Sequence, residues 1–162
     1  AWIAAKLRIV IVPESSLTLA RIADAPAIAR LSRTLIETDL PWSWVPQRVA
    51  SSIRHPETNV LVARVRARVA GFGIMWYGPD EAHLNLFAVD RAHQRQGLGR
   101  RLLEWLERPA RVAGLDRIVL EVRADNAGAR AFYERLGYRA LERIPGYYRG
   151  QETALRMERS LR

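Results

Sequence analysis

Hydrophobic and polar positions divide the chain into a β-rich part and a following part in which helices and strands alternate. Three runs rich in β-branched and aromatic residues come close together, at residues 59–66, 69–78 and 81–90. Polar turns separate them, one around Ala67 and one at the Gly-Pro-Asp of residues 78–80. Strands joined by turns this short predict an antiparallel meander.

Helical periodicity appears after the meander, where strand-like and helix-like segments alternate. The predicted elements are a helix over residues 97–113, a strand over 117–123, a helix over 127–136, a strand over 138–143 and a final strand over 152–161. This alternation favours crossover connections and locally parallel strands. Pro109 is expected to kink or end the first of these helices.

A strand at residues 17–22 and a helix at residues 24–37 are predicted before the meander. Asp24 can cap this helix, whose apolar stripe is formed by Ile28, Leu31, Leu35 and Ile36. A loop with prolines and two tryptophans follows at 40–47, and then a short helix at 47–55. The whole predicts a single mixed α+β domain over residues 17–162. Residues 1–16 are interpreted as an extra strand, an N-terminal extension or a remnant of cloning.

Composition supports an ordinary globular domain, since 49% of the 162 residues are apolar and 27% are charged. The formal net charge is +9, and 25 of the 26 basic residues are arginine. These arginines are spread from Arg8 to Arg162 without a long basic block or an aromatic–basic strand signature, which disfavours direct nucleic-acid binding. No apolar run reaches the roughly 18 residues of a membrane helix, so no membrane contact is expected.

The absence of cysteine excludes a disulfide framework, thiolate catalysis and cysteine metal sites. It fits a reducing compartment, and a cytoplasmic location is therefore expected. No cluster has the spacing of metal ligands, so no metal is expected. His55, His83 and His93 are isolated in sequence and are interpreted as ordinary surface or loop histidines.

The segment RAHQRQGLGR, residues 91–100, connects a predicted strand to the start of a predicted helix. Its two glycines let a ligand approach the backbone, and the unpaired N–H groups of a helix start attract phosphate. Arg95, Arg100 and Arg101 add positive charge. Neither the P-loop spacing nor the dinucleotide spacing GxGxxG fits, because Leu102 stands at the third glycine position.

Two further residues stand out in the second part of the chain. Glu121 interrupts an apolar strand, and it is interpreted either as a base or as a glutamate on an edge strand paired with an arginine. Asn126 is placed to cap the next helix, in which Tyr133 lies on the apolar face with Ala129, Phe132 and Leu136. By periodicity alone, Tyr133 is either a core aromatic or a functional hydroxyl.

The loop QRQGLG has the spacing Gln-x-x-Gly-x-Gly and resembles the pyrophosphate loop of the Gcn5-related N-acetyltransferases (GNAT), which bind acetyl-coenzyme A. The pattern N-x-x-A-x-x-F-Y-x-x-x-G-Y, from Asn126 to Tyr138, resembles the second signature of that family. The resemblance implies a mostly antiparallel mixed sheet flanked by helices, with splayed central strands that admit the cofactor. It also implies the following acetyl-CoA contacts: backbone groups of Phe87, Ala88 and Val89, the loop residues Gln94, Arg95, Gln96, Gly97, Leu98, Gly99 and Arg100, and Asn126.

Within that family the chain is most similar to the bacterial ribosomal-protein-alanine N-acetyltransferases. The similarity lies in LPWS at 40–43 and in the segments 89–106 and 120–138. It implies that Glu121 is the general base, that Tyr133 is the general acid, and that Tyr147 and Tyr148 bind the acceptor. The aromatic loop at 41–44, which includes Trp42, is expected to line the acceptor pocket. One departure is that Glu152-Thr153 stands where those relatives have Glu-Asp.

The implied chemistry is direct acetyl transfer to an amine. An α-amine has a pKa near 8, so a modest base suffices to deprotonate it. Glu121 is expected to act through a water, with its pKa raised by the apolar strand. Tyr133 would protonate the departing sulfur, and the strand N–H of Val89 or of its neighbour would stabilise the oxyanion. Three alternatives remain open: a protein N-terminus as acceptor, a small-molecule amine as acceptor, and a non-catalytic acetyl-CoA-binding module. The expected oligomeric state is a monomer or a homodimer.

Overall fold

The computed structural model describes residues 15–162 as a seven-stranded mixed sheet with helices on both faces. The strands are β1 Ser15–Leu19, β2 Thr58–Val65, β3 Arg68–Tyr77, β4 Glu81–Val89, β5 Arg117–Arg123, β6 Arg139–Tyr148 and β7 Glu152–Ser160. The helices are α1 Ala25–Leu35, α2 Pro46–Arg54, α3 Leu98–Val112 and α4 Ala127–Arg135. The strand order is β1-β2-β3-β4-β5-β7-β6. Residues 1–14, on which most of the predicted extension falls, lie outside the described residues.

The predicted meander is confirmed, because β2, β3 and β4 pair antiparallel in sequence order. β1 adds to the free edge of β2, also antiparallel. This strand ends at Leu19, and a 3-10 turn at Ile22–Asp24 replaces the end of the strand predicted at residues 17–22.

Asp24 does not cap α1 as predicted. Its carboxylate accepts a hydrogen bond from the Arg21 N–H at 2.8 Å, which closes the preceding 3-10 turn. The same carboxylate binds the Arg64 guanidinium through two bonds of 2.9 and 2.6 Å. The Asp24 carboxylate therefore binds Arg64 of β2 and makes no capping hydrogen bond to α1.

The predicted parallel pairing is only partly correct. β4 and β5 pair in parallel, but β7 lies between β5 and β6 and pairs antiparallel with both. β6 and β5 consequently run in the same direction without touching each other. The hairpin formed by β6 and β7 places the later strand inside the sheet, a long-range arrangement that local periodicity does not reveal.

A bulge in β4 reverses the faces to which its side chains point. Leu84 belongs to the core under α3, whereas Leu86 belongs to the core under α1 and α2. Residues two apart normally share a face of a strand. Because Met75 pairs with Leu84 and Ile74 pairs with Leu86, Asn85 is the extra residue that causes this change.

Each face of the sheet carries its own hydrophobic core. On one face, Leu102, Leu103 and Leu106 of α3 are fully buried, and Tyr133 of α4 joins them. On the other face, Ile28 of α1 and Val49 of α2 are fully buried. Within residues 15–162, no helix has the length and apolar character needed to cross a membrane.

Pro109 lies inside α3, and the helix continues to Val112, so the expectation that Pro109 ends the helix is wrong. The last turn is closed by a hydrogen bond from the Ala113 N–H to the Pro109 carbonyl at 2.9 Å. Ala110 is fully buried beneath this turn. Packing of the last turn therefore outweighs the single N–H donor that proline lacks.

Candidate active site

A gap opens in the middle of the sheet where β4 and β5 separate. Their parallel pairing covers only Glu81–Leu84 of β4 and Arg117–Leu120 of β5. Beyond this point β4 continues along β3 to Val89, while β5 continues along β7 to Arg123. This separation confirms the splayed central strands that the family resemblance implied.

Two backbone positions of β4 face the gap. The Asp90 N–H donates to the Ala70 carbonyl at 2.7 Å, which makes these two residues a hydrogen-bonded pair between β4 and β3. Pairs alternate along an antiparallel ladder, so the backbone groups of Val89 and Phe87 point away from β3 and into the gap, while those of Ala88 point toward β3. The Val89 carbonyl accepts a hydrogen bond from the Gln94 side-chain amide at 2.9 Å. Of the two backbone groups of Val89 that face the gap, the N–H is therefore the one left for a ligand.

The glycine loop leads from the end of β4 into α3. Gly97 is the residue before the helix and has a left-handed backbone with φ of +80°, and Arg95 is also left-handed with φ of +61°. The first helical hydrogen bond runs from the Arg101 N–H to the Gly97 carbonyl. The N–H groups of Leu98, Gly99 and Arg100 therefore have no partner within the helix and are available to an anion.

The arginine side chains of this loop differ in their availability. The Arg100 guanidinium binds Glu104 one turn along α3 at 2.8 Å. Arg101, which was expected to add charge to the loop, instead binds the Ser15 hydroxyl on β1. Arg95 is exposed and lies outside the salt bridges found within residues 15–162. The backbone of the loop and Arg95 are therefore the groups best placed to meet a phosphate.

Helices α3 and α4 come together beside the gap. A methyl group added at Gly99 would lie 3.2 Å from the Phe132 ring, so this glycine allows the close approach of the two helices. Phe132 stacks on Phe87 with ring centroids 5.8 Å apart. Asn126 caps α4 as predicted, because its Oδ1 accepts the Ala129 N–H at 3.1 Å.

These features fit two parts of acetyl-CoA, its pyrophosphate and its pantetheine arm. The free N–H groups at the start of α3 suit its pyrophosphate, and the open side of Gly97 has no atom within 4 Å of an added Cβ, which leaves room for phosphate oxygens. The apolar rings of Phe87 and Phe132 and the exposed polar groups of β4 suit an arm of alternating methylenes and amides. The residues present can therefore hold the cofactor that the resemblance implied.

Glu121 lies on β5 at the point where the gap opens. Its neighbours Leu120 and Val122 point into the core under α3, so Glu121 points to the opposite face. The side chain is only 7% exposed and has two cationic or titratable partners. His83 Nε2 lies 2.6 Å from one carboxylate oxygen, and Arg156 Nε donates to the other at 3.1 Å.

The electrostatics of this cluster correct two expectations. Burial favours the neutral acid, but hydrogen bonds and charge from His83 and Arg156 outweigh it and hold the pKa of Glu121 below its ordinary value. The expected upward shift is therefore wrong. Burial lowers the pKa of His83, but the hydrogen bonds to Glu121 and Asn85 and the charge of Glu121 raise it by a larger amount. The net shift is therefore upward. His83 is thus a partner of Glu121 on a central strand, not an ordinary surface or loop histidine.

Tyr133 belongs to α4 and points into the core on the other face of the sheet. It is 7% exposed and contacts the rings of Phe87, Phe132 and Tyr138, with centroids 5.2 to 6.3 Å apart. Burial raises its pKa, and the nearby Tyr148 adds to the rise. Among residues 15–162 no group hydrogen-bonds its hydroxyl, whose proton is therefore free for a bound reactant.

Tyr147 and Tyr148 end β6 above the Glu121 cluster. Their rings meet edge to face at 4.9 Å. Burial raises the pKa of both hydroxyls, and the charge of Glu121 contributes to each shift. Arg123, two residues after Glu121 on β5, lies 5.9 Å from the centre of the Tyr148 ring, which places the tyrosine pair on the Glu121 side of β5.

Trp42 takes a different position from the tyrosine pair. Its Nε1 donates to the Ala29 carbonyl on α1 at 3.2 Å, and the Arg33 guanidinium lies 5.0 Å from its ring. The indole thus packs against α1 and belongs to the periphery of the core under α1 and α2. A contact between Trp42 and an acceptor stays a prediction.

Sequence reasoning missed His83 and Arg156 as members of this site. They lie 38 and 35 residues from Glu121 in the chain, and no local motif connects them. The only available signal was alternation, since His83 and Arg156 each interrupt apolar positions of a predicted strand.

Comparison with known proteins agrees with this geometry. A sequence model described as "Acetyltransferase (GNAT) family" matches residues 28–138. The chain is 44% identical over 138 residues to the [Ribosomal protein bS18]-alanine N-acetyltransferase of Escherichia coli strain K12, covering 76% of this chain and 93% of the relative. The chain belongs to the GNAT family. It is accordingly an N-acetyltransferase, an enzyme that transfers acetyl from acetyl-CoA to an amine.

Solved structures give the same result for the fold. The crystal structure of the ribosomal-protein-S18-alanine N-acetyltransferase from Escherichia coli matches with a TM-score of 0.78 and 32% identity, covering 91% of this chain and 94% of that one. The structure of Ard1 from Thermoplasma volcanium matches with a TM-score of 0.81 and 26% identity, covering 90% and 97%.

Proposed function

We propose that this enzyme acetylates the N-terminal α-amine of a protein, with a ribosomal protein that begins with alanine as the leading candidate. The observation that carries the proposal is the placement of Tyr133 on one face of the sheet and of the His83–Glu121 pair on the other, at the gap between β4 and β5. An acid and a base on opposite sides of one opening suit a reaction between two substrates that enter from opposite faces. The names of the relatives support the acceptor class.

The proposed donor side lies on the α3 face. The loop from Gln94 to Arg100 would bind the pyrophosphate through backbone N–H groups, with Arg95 supplying charge. The outward backbone groups of Phe87 and Val89 would line the gap, and Asn126 would stand at its other edge with its Nδ2 not used by the helix cap. When bound, acetyl-CoA supplies the thioester whose acetyl group is transferred. The Val89 N–H, which faces the gap, would stabilise the oxyanion that develops on the acetyl carbonyl.

The proposed base is the His83–Glu121 pair rather than Glu121 alone. A carboxylate with a lowered pKa is a weak acceptor for an ammonium proton, whereas the same carboxylate raises the basicity of the imidazole that it binds. His83 would take the proton from the α-amine through a water, and Glu121 would hold the imidazolium. An α-amine, with a pKa near 8, needs less help from this pair than a lysine amine with a pKa near 10.4.

The proposed acid is Tyr133. Its raised pKa keeps the phenol protonated at neutral pH. Its hydroxyl would give a proton to the sulfur as the carbon–sulfur bond breaks, so that the free thiol leaves. Tyr148, whose ring contacts Tyr147 and faces Arg123 of β5, would form part of the acceptor cleft with Tyr147, and Trp42 would line its outer side.

The acceptor is tested by measuring thiol release from acetyl-CoA with a panel of amines. The panel contains a peptide that begins with alanine and carries an internal lysine, the same peptide with its α-amine blocked, and polyamines. We expect turnover only with the free α-amine. Turnover with polyamines but not with the peptide would replace this proposal with a small-molecule acetyltransferase. Binding of acetyl-CoA without turnover of any amine would favour a non-catalytic module. A ribosomal-protein acceptor also implies the cytoplasmic location that the lack of cysteine suggested.

A further inference from the structure

The loop between α1 and α2, residues 36–45, is folded around a buried carboxylate. Glu37 is 7% exposed, and its two oxygens accept hydrogen bonds from four donors. These are the Ser32 hydroxyl at 3.0 Å, the Ser43 N–H at 2.8 Å, the Ser43 hydroxyl and the Trp44 N–H at 3.3 Å. Glu37 thus joins the end of α1 to the turn that follows Pro41.

Glu37 differs from the other buried carboxylates of the described chain. Asp24, Glu107 and Glu158 each bind at least one arginine. Among residues 15–162, no arginine or histidine forms an ion pair with Glu37, and neutral donors alone satisfy it. Two of these donors are backbone N–H groups of the loop, so the carboxylate fixes the path of the backbone there.

Arg123 connects this loop to the tyrosine pair. It follows Glu121 by two residues on β5 and therefore lies on the same face of the sheet. Its guanidinium donates to the Thr38 carbonyl of the loop at 2.5 Å, and it lies 5.9 Å from the centre of the Tyr148 ring. One side chain thus touches both the loop between α1 and α2 and the tyrosine pair at the end of β6.

The Arg123 guanidinium has further bonding capacity. Its Nε is buried and has no acceptor among the described residues. A buried N–H donor without a partner costs free energy. Other contacts of the Arg123 side chain must compensate for the cost of burying its Nε. The contacts that do so in this structure are those to Thr38 and Tyr148.

We propose that Arg123 is a positioning residue that couples the Glu37-folded loop to the Tyr147–Tyr148 end of β6, so that the two walls of the acceptor cleft form one unit. This inference rests on the proposed function for the identity of the cleft. It assigns Arg123 an effect on acceptor binding without contact with the reacting atoms. It also extends the acceptor site to Glu37, although Glu37 forms no hydrogen bond with Glu121 or Tyr133.

The kinetic test is Arg123→Gln, with Arg130→Gln as the matched control. Arg130 also donates to a backbone carbonyl, that of Ala124 at 3.1 Å, and also has a buried Nε without an acceptor, but it lies on α4. We expect Arg123→Gln to raise the acceptor KM about tenfold, as loss of one charge-assisted contact implies, with kcat and the acetyl-CoA KM within about twofold. Arg130→Gln should leave the acceptor KM unchanged. An unchanged acceptor KM in Arg123→Gln overturns the proposal.

A second test does not depend on activity. Hydrogen exchange can be followed at the Leu40 and Ser43 amides of the loop and at the Gly150 and Gln151 amides beside Tyr148, all of which are hydrogen-bonded. We expect Glu37→Gln to accelerate exchange at both sets of amides. In the Arg123→Gln background, Glu37→Gln should accelerate exchange only in the loop. Acceleration confined to the loop when Arg123 is present would overturn the coupling.

The two tests separate this inference from the proposed function. If no amine is acetylated, the proposed function fails, while the exchange experiment still decides whether Arg123 couples the two walls. If the peptide is acetylated and Arg123→Gln changes neither the acceptor KM nor the exchange rates, only the coupling fails. Thermal unfolding of each variant confirms that the comparison is made between folded proteins.

Discussion

His83 Nε2 lies 2.6 Å from a carboxylate oxygen of Glu121, and the two side chains belong to neighbouring parallel strands. This pair stands where β4 and β5 begin to separate, at the start of the gap between them. The imidazole is made more basic and the carboxylate more acidic by the same contact. The consequences can be measured in the pH dependence of the reaction.

The His83–Glu121 pair predicts the direction of a shift in that pH dependence. The proposed base is neutral His83, so kcat/KM for the acceptor should rise as the pH passes the raised pKa of His83. Glu121→Gln removes the charge that raises this pKa, and the rise should move to lower pH while the maximal rate falls. His83→Gln should abolish this rise and lower kcat by about 10²-fold.

Glu142→Gln is the control for this prediction, because Glu142 also binds Arg156, at 2.6 Å, but is not among the groups that shift the pKa of His83. The profile of this variant should match the wild type. A profile of Glu121→Gln that coincides with the wild type, or that moves to higher pH, would show that this pair does not supply the base.

Tyr133→Phe is expected to reduce kcat by about 10²-fold and to leave the acetyl-CoA Kd within about twofold, because only proton donation is lost. Stability should be unaffected, since no described residue hydrogen-bonds the hydroxyl. Tyr138→Phe is a matched control: its ring centroid lies 5.7 Å from that of Tyr133, and its hydroxyl is buried and has no hydrogen-bond partner among residues 15–162. Equal kcat values for the two variants in a thiol-release assay would remove Tyr133 from the acid role.

Gly97→Ala tests the loop by its affinity for acetyl-CoA, measured by titration calorimetry. The added methyl group would occupy the open side of the loop and disfavour the φ of +80° by about 1 kcal/mol. We expect the Kd to rise roughly tenfold, which corresponds to 1.4 kcal/mol. Gly114→Ala, at a φ of +73° after α3, imposes the same backbone cost away from the loop and should not change the Kd. Equal affinity in all three proteins would exclude the loop as the pyrophosphate site.

Asp24→Asn is expected to lower the Tm at pH 7 by about 5 °C, because it removes the charge that binds Arg64. The hydrogen bond from Arg64 lowers the pKa of Asp24 in the folded protein, although burial opposes it. The carboxylate therefore stabilises the fold above its ordinary pKa near 3.8, and this stabilisation is lost as the pH falls through the lower folded value. Thermal scans of both proteins should converge in acid, and a constant Tm difference down to pH 2 would contradict the assignment.

Features that depend on neighbours in the chain could be predicted from the sequence. The meander follows from short turns, the Gly97 loop from its glycines, and the Asn126 cap from its place before an apolar periodicity. Features that depend on distant strands could not. The position of β7 between β5 and β6 is set by the packing of Leu155 and Met157 into the core, which no local pattern reveals.

The error in the pKa of Glu121 has the same origin. An apolar strand alone would raise that pKa, and the sequence shows the strand but not the partners. His83 and Arg156 come from β4 and β7, and they reverse the direction of the shift. A carboxylate in an apolar strand therefore indicates a special site, while the sign of its pKa shift requires the tertiary structure.

The place of β7 within the sheet also determines when the enzyme can begin to work. β7 follows every other strand in the chain, yet it lies between β5 and β6 and supplies Arg156 to Glu121. During synthesis, β5 and β6 emerge from the ribosome without the strand that separates them, and two unpaired edges persist until β7 arrives. The Glu121 cluster is therefore completed only when β7 pairs with β5, and a chain without β7 would leave two strand edges open to aggregation.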